Sequence, residues 1–184
     1  YTCDADLDSI ARRWFKIDSG QQLIFTNNTL ADTFTLTTFS TSKTETSKSG
    51  GFDSKQIPCE SGLYARSAEK DSSGRSNYTL SYQVDTYYPG KNQQYNDSYL
   101  NLKGTTCWIS YIENDFGITS STDSTSIIQS FLSPNGLTYP KVSAIIVDSS
   151  LITKDRPYKL YVAHDHGLIG YEMYPSHQIW AIKP

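Results

Sequence analysis

The sequence predicts an all-β protein: an antiparallel sheet folded as a sandwich or a partly open barrel, with at most a short helix near the N-terminus. Three observations lead there. Apolar residues recur with period two, most clearly where Tyr78, Leu80, Tyr82, Val84 and Tyr88 alternate with Thr79, Ser81, Gln83 and Asp85. Such spacing places one set on each face of a strand, whereas a helix would scatter it around its circumference. The chain is rich in strand-forming side chains, with 14 tyrosines and 7 phenylalanines, which suit a pleated, half-buried surface. The apolar segments are short and separated by stretches of Ser, Asn, Asp and Gly, residues that favour turns.

Taken in order, residues 5–15 have the aspartates Asp6 and Asp8 near their start, which suits the positive end of a helical turn or two. Leu23-Ile24-Phe25, the turn-rich 27–32 and Thr33-Phe34-Thr35-Leu36 read as a first hairpin. Asn and Asp fit such a turn because they tolerate left-handed backbone and bond their own main chain. Residues 40–51 form a polar tract ending in Gly50-Gly51. Further strands are expected at 62–68, 78–88, 100–111, 142–147, 158–163, 168–173 and 178–182, with polar tips at 70–76 and 89–97. Val142-Ser143-Ala144-Ile145-Ile146-Val147 is almost continuously apolar, as befits a strand covered on both faces. The apolar stretch 127–132 fits a short helix or an edge strand. It sits within a polar link, 114–140, that raises a division near residue 120. The piece beyond is short for a core of its own, so residues 1–184 are expected to form a single β domain.

Net charge is −3 and the charges are scattered. No basic stripe exists to neutralise a row of phosphates, so nucleic acid is not an expected partner. No apolar run approaches the roughly 20 residues of a membrane-spanning helix. The chain begins at Tyr1-Thr2-Cys3 rather than at methionine, and an export segment upstream of Tyr1 is expected. Cys3, Cys59 and Cys107 allow three disulfide pairings or three buried thiols, and their spacing fits no zinc site.

The C-terminal strands carry a resemblance. Tyr139-Pro140-Lys141-Val142, Tyr158-Lys159-Leu160-Tyr161-Val162-Ala163, Gly167-Leu168-Ile169-Gly170-Tyr171-Glu172 and Trp180-Ala181-Ile182 resemble the closing strands of uncharacterised secreted lipoproteins of Bacteroidetes-type bacteria. Residues 19–28 are similar to their opening hairpin. The resemblance covers well under half the chain and implies a secreted or cell-envelope location, with membrane contact only through a lipid anchor upstream of Tyr1. It carries no activity. His164-Asp165-His166 departs from it, standing where those chains have a Lys/Gly-type turn.

Tyr82, Tyr87, Tyr88, Tyr99 and Trp108 gather around one expected hairpin and form the candidate ligand-binding set. Aromatic rings there either stack on a sugar-like or apolar ligand or act as cross-strand pairs. His164 and His166 are placed to share one face of a strand, with His177 and Glu172 as further donors, or to lie in a polar turn. No nucleophile elbow, zinc-protease or phosphate-loop motif is present. Hence no catalytic residue, metal ligand or cofactor is assigned. The expected function is a non-enzymatic domain that binds a small ligand or a partner protein. A metal-assisted hydrolase using His164 and His166, or a structural module of a surface complex, are the alternatives. Trp180, in the closing strand, is expected to be buried and structural.

Overall fold

The computed structural model describes residues 13, 18, 20–43, 59–70, 76–90, 93–111, 118–120, 124–147, 150 and 152–184. Among them the secondary structure is thirteen antiparallel strands in two sheets. The first sheet runs β2 (Ala31–Thr35), β1 (Gln22–Thr26), β13 (Ile179–Ile182), β12 (Gly167–Tyr174), β11 (Arg156–Ala163), β10 (Thr138–Ile146), β9 (Ser124–Leu132). The second runs β3 (Thr37–Lys43), β4 (Cys59–Lys70), β5 (Ser76–Gly90), β6 (Gln93–Leu102), β7 (Thr105–Tyr111), β8 (Ile118–Ser120). Within each sheet, chain neighbours pair, and one long-range ladder brings β1 beside β13. Pairings between adjacent strands close short loops at little entropic cost.

The chain changes sheets twice, between β2 and β3 and between β8 and β9. At the first crossing Leu36 keeps its backbone bonds to Gly20 and Gln21 while its side chain is buried between the layers. The core is shared by both sheets. Phe25, Phe34, Ile145, Leu160, Val162 and Tyr171 come from the first, and Ala65, Leu80, Tyr82, Leu100, Leu102 and Cys107 from the second. Each fully buried Leu, Ile or Phe there contributes about 1.5–3 kcal/mol of transfer free energy.

A second cluster, Tyr139, Val142, Ala144, Tyr161, Ala163 and Ile169, occupies the other face of the first sheet. Residues 142–145 are therefore buried on alternating sides, as their unbroken apolar run requires. Residues 127–132 lie in β9, at the end of the first sheet's strand order, so the edge-strand alternative holds. One expected strand divides: 100–111 is a hairpin, β6 and β7, joined by Lys103 and Gly104 at φ +50° and +80°. Two left-handed residues match the natural twist of paired strands, and glycine takes the second position without a Cβ penalty. The expected N-terminal helix lies outside the described residues, apart from Arg13.

The ladders also bear on the cysteines. Cys59 on β4 pairs with Tyr88, and Cys107 on β7 pairs with Leu100. Two strands intervene, about 14 Å at ordinary strand spacing, against a disulfide limit of about 7 Å between Cα atoms. The Cys59–Cys107 pairing is excluded. Cys107 is buried in the core.

Candidate ligand-binding site

Of the five aromatic residues expected to bind ligand, the side chains of Tyr82 and Tyr99 are described. Tyr82 is only 3% exposed and belongs to the core, with its hydroxyl against the Leu168 backbone of the facing sheet. Burial pushes its phenol well above the usual range. It ties the layers together and has no surface to offer a ligand. Tyr99 is half-buried and pairs across the ladders with Gln83 and Trp108. Tyr87 pairs with Tyr95 and Tyr88 with Cys59. Tyr88 thus stands about 20 Å along β5 from Tyr82 at the ordinary strand rise. The side chains of Tyr87, Tyr88 and Trp108 lie outside the described residues.

The histidines do not assemble. His164, Asp165 and His166 form the turn between β11 and β12, with Asp165 and Gly167 at φ +63° and +77°. His164 Nδ1 lies 2.8 Å from Asp165 Oδ2, and the His166 ring meets Tyr139 edge-on at 5.2 Å. Glu172 and His177 lie toward the opposite end of β12, about 17 Å from Gly167 to Glu172 at the strand rise. The grouping of all four is not formed.

What does assemble is Tyr158, Tyr161, Glu172, Tyr174 and His177, on the face of the first sheet away from the shared core. A register shift in the β11–β12 ladder prepares it: Pro157 pairs with Met173 and Lys159 with Glu172, leaving Tyr158 as the extra residue. Proline cannot donate to a ladder and is tolerated at such bulges. The bulge turns Tyr158 to the same face as Tyr161, so both phenols reach one carboxylate. Beyond β12, the turn begins with a cis Tyr174-Pro175 peptide and holds His177 at φ +56°. The His177 N–H donates to the Met173 carbonyl, and the Met173 N–H donates to the Gln178 carbonyl. These bonds fold the imidazole back over the strand end.

Glu172 is the centre of the group, 9% exposed as a residue. Tyr158 Oη donates to its Oε1, and Tyr161 Oη donates to its Oε2 at 3.1 Å. His177 Nδ1 lies 3.1 Å from Oε1 and 2.8 Å from Tyr158 Oη. A carboxylate only accepts, so Nδ1 is the donor in its contact with Glu172. Burial pushes both phenols well above their usual range, reinforced by the charge and hydrogen bonding of Glu172. They stay protonated donors at neutral pH and cannot act there as phenolate bases or nucleophiles.

Three of these rings meet pairwise and nearly at right angles. Tyr158 and Tyr174 centroids are 6.2 Å apart at 76°, Tyr158 and His177 5.5 Å at 89°, and Tyr174 and His177 6.5 Å at 83°. The outer two members are open to solvent, Tyr174 at 39% of its residue surface and His177 at 64% of its side chain. Tyr161 anchors the inner side, stacked on Phe131 at 4.6 Å with the Lys159 ammonium 5.2 Å from its ring centre.

A second polar group is structural. Lys103, in the β6–β7 turn, pairs with Asp32 of the other sheet, and Tyr171 Oη donates to the same carboxylate oxygen at 2.5 Å. The ammonium lies 5.7–6.0 Å from the ring centres of Phe34, Tyr171 and Trp180. Together with the Thr105 hydroxyl bonded to the Pro157 carbonyl, it clamps the hairpin to the first sheet. Trp180 is half-buried rather than fully buried, stacked on Tyr171 at 5.9 Å.

No family model, curated protein or solved structure matches the chain. Among the described residues no group of three or more His, Cys, Asp and Glu side chains is arranged to hold a metal ion, and no helix is long and apolar enough to cross a membrane.

Proposed function

We propose that the protein is a non-enzymatic secreted or cell-envelope domain that binds a small ligand at the corner formed by Tyr158, Tyr174 and His177 over Glu172. The observation that carries this reading is a solvent-open set of aromatic rings held rigidly by a buried carboxylate. Recognition sites combine apolar ring surface with a few well-placed polar groups, and sites on strands are held more exactly than sites on mobile loops. Tyr174 costs exposed aromatic surface without filling the core, whereas Tyr158 and His177 are positioned through Glu172. A catalytic role draws no comparable support, because the two phenols are held protonated and no activated nucleophile stands among the described partners of His177.

A structural reading has one observation in its favour: Tyr158, Tyr161 and His177 already occupy the Glu172 oxygens. Nuclear magnetic resonance mapping of a panel of small sugars, amines and apolar compounds separates the two. Binding predicts saturable shifts confined to residues 158, 172, 174 and 177 and their neighbours. Shifts elsewhere, or none across the panel, would remove this site.

A further inference from the structure

We propose that the outer face of the second sheet is a platform for a glycan, an extended chain of pyranose sugars laid across the strands. It lies on the other sheet from the Tyr158–Glu172 corner and does not depend on it. The ladders assemble it. Tyr64 on β4 pairs with Gln83 on β5, and Gln83 pairs with Tyr99 on β6. Residues directly opposite in antiparallel strands share one face. Their chain neighbours decide which face that is. Ala65, Tyr82 and Leu100 are buried in the shared core, whereas Tyr64, Gln83 and Tyr99 are half-buried on the other side. By register the row continues to Phe39 of β3 and Trp108 of β7. Four of its five positions are aromatic, drawn from four strands.

The neighbouring rows point to the class of partner. On one side the ladders align Arg66, Ser81, Asn101 and Thr106, with the Asn101 amide donating to the Thr106 hydroxyl at 2.7 Å. On the other they align Gly62, Asp85, Asp97 and Ser110. None of these positions in the three rows is Leu, Ile, Val or Met. A protein contact keeps charged residues away from its centre, whereas here Arg66 and Asp85 each stand one row from the aromatic line. Nucleic acid needs a run of cations, and one arginine faces two aspartates. A glycan matches both features, because the C–H faces of pyranose rings stack on aromatic side chains while their hydroxyls bond polar groups alongside. Tyr64 and Tyr99 are two strand spacings apart, about 10 Å, with Gln83 between them. That interval suits alternate rings of an extended chain rather than one monosaccharide, and the strands hold it in register.

The test is resonance titration of the whole chain with cellohexaose, xylohexaose and mannohexaose, each beside its disaccharide. At least one hexaose is expected to shift residues 64, 83 and 99 saturably and to bind about tenfold or more tightly than its disaccharide. Tyr64→Ala and Tyr99→Ala, at partly open positions, are each expected to weaken that hexaose severalfold. Gln83→Ala leaves both rings in place and is expected to weaken it severalfold as well, which keeps the test decisive if a tyrosine variant unfolds. No hexaose shifting these residues, a disaccharide binding as tightly as its hexaose, or binding unchanged in the variants would overturn the proposal. Shifts at these residues on dilution without sugar would assign the face to a second copy of the chain and overturn it too. Sugars that shift residues 158, 174 and 177 alone would remove the platform and leave the corner standing.

Discussion

Gly170 shows how closely one residue governs the closing strands. A Cβ there would lie 2.7 Å from the Trp180 carbonyl oxygen, backbone that cannot swing aside. Gly170→Ala is expected to push β13 off β12 and to cost about 1–3 kcal/mol, read as a lower melting temperature; an unchanged melt would refute the contact. Glycine in Gly-Leu-Ile-Gly-Tyr looks like an ordinary strand residue in sequence, because its constraint comes from a neighbouring strand ten residues away. Glu172 was visible in the same limited sense. In sequence it reads, with His177, as a further donor for a site with His164 and His166. What joins Glu172 instead to Tyr158 is a one-residue bulge at Pro157–Lys159, which period-two reading passes over. Proline inside a strand pattern was the available signal.

Among elements, strand identity was legible wherever alternation ran for several residues, as in β5, or where apolar residues ran together, as in β10. The missed hairpin of β6 and β7 was hidden because Leu100, Leu102, Cys107 and Trp108 maintain strand-like composition on both sides of Lys103-Gly104. A two-residue turn ending in glycine was the signal, and lysine is an uncommon residue for the left-handed first position. Trp180 belongs at this scale too. The sequence predicts it buried, whereas the indole is half-buried, stacked on Tyr171 with the Lys103 ammonium 5.7 Å from its ring centre. Trp180→Ala is accordingly expected to cost about 2–3 kcal/mol, below the 3–5 of a fully buried tryptophan. Chemical denaturation measures it, and a loss under about 0.5 kcal/mol would show that the stack does not hold β13.

For the whole molecule, period and composition carried the all-β class, while the division into seven and six strands depended on contacts far apart in sequence, such as β1 with β13. The burial of tyrosines on both faces of the first sheet and between the sheets has a consequence for pH. Tyr82, Tyr158, Tyr161 and Tyr171 all have phenols pushed above their ordinary value, foremost by burial. In the unfolded chain tyrosines lose protons near pH 10, while these four hold theirs when folded. Their contribution is intact below about pH 10 and declines as pH rises beyond it, because the unfolded state then releases protons that the folded state keeps. Tyrosinate absorbance is expected to rise in two phases, the second coinciding with loss of strand circular dichroism. A single phase near pH 10 with the fold intact would contradict it.

The binding role of the corner is tested most directly by melting temperature and ligand binding measured together on Tyr174→Ala. Tyr174 touches Tyr158 and His177 by ring contact and is exposed, so its loss removes one wall with little burial. The expected result is a melting temperature within a degree or two of the parent, as for a surface substitution of about 0.5 kcal/mol or less, together with a severalfold loss of whichever ligand shifts residues 158 and 177. A variant that melts well below the parent while binding that ligand unchanged would show that the three rings serve the fold and not a ligand.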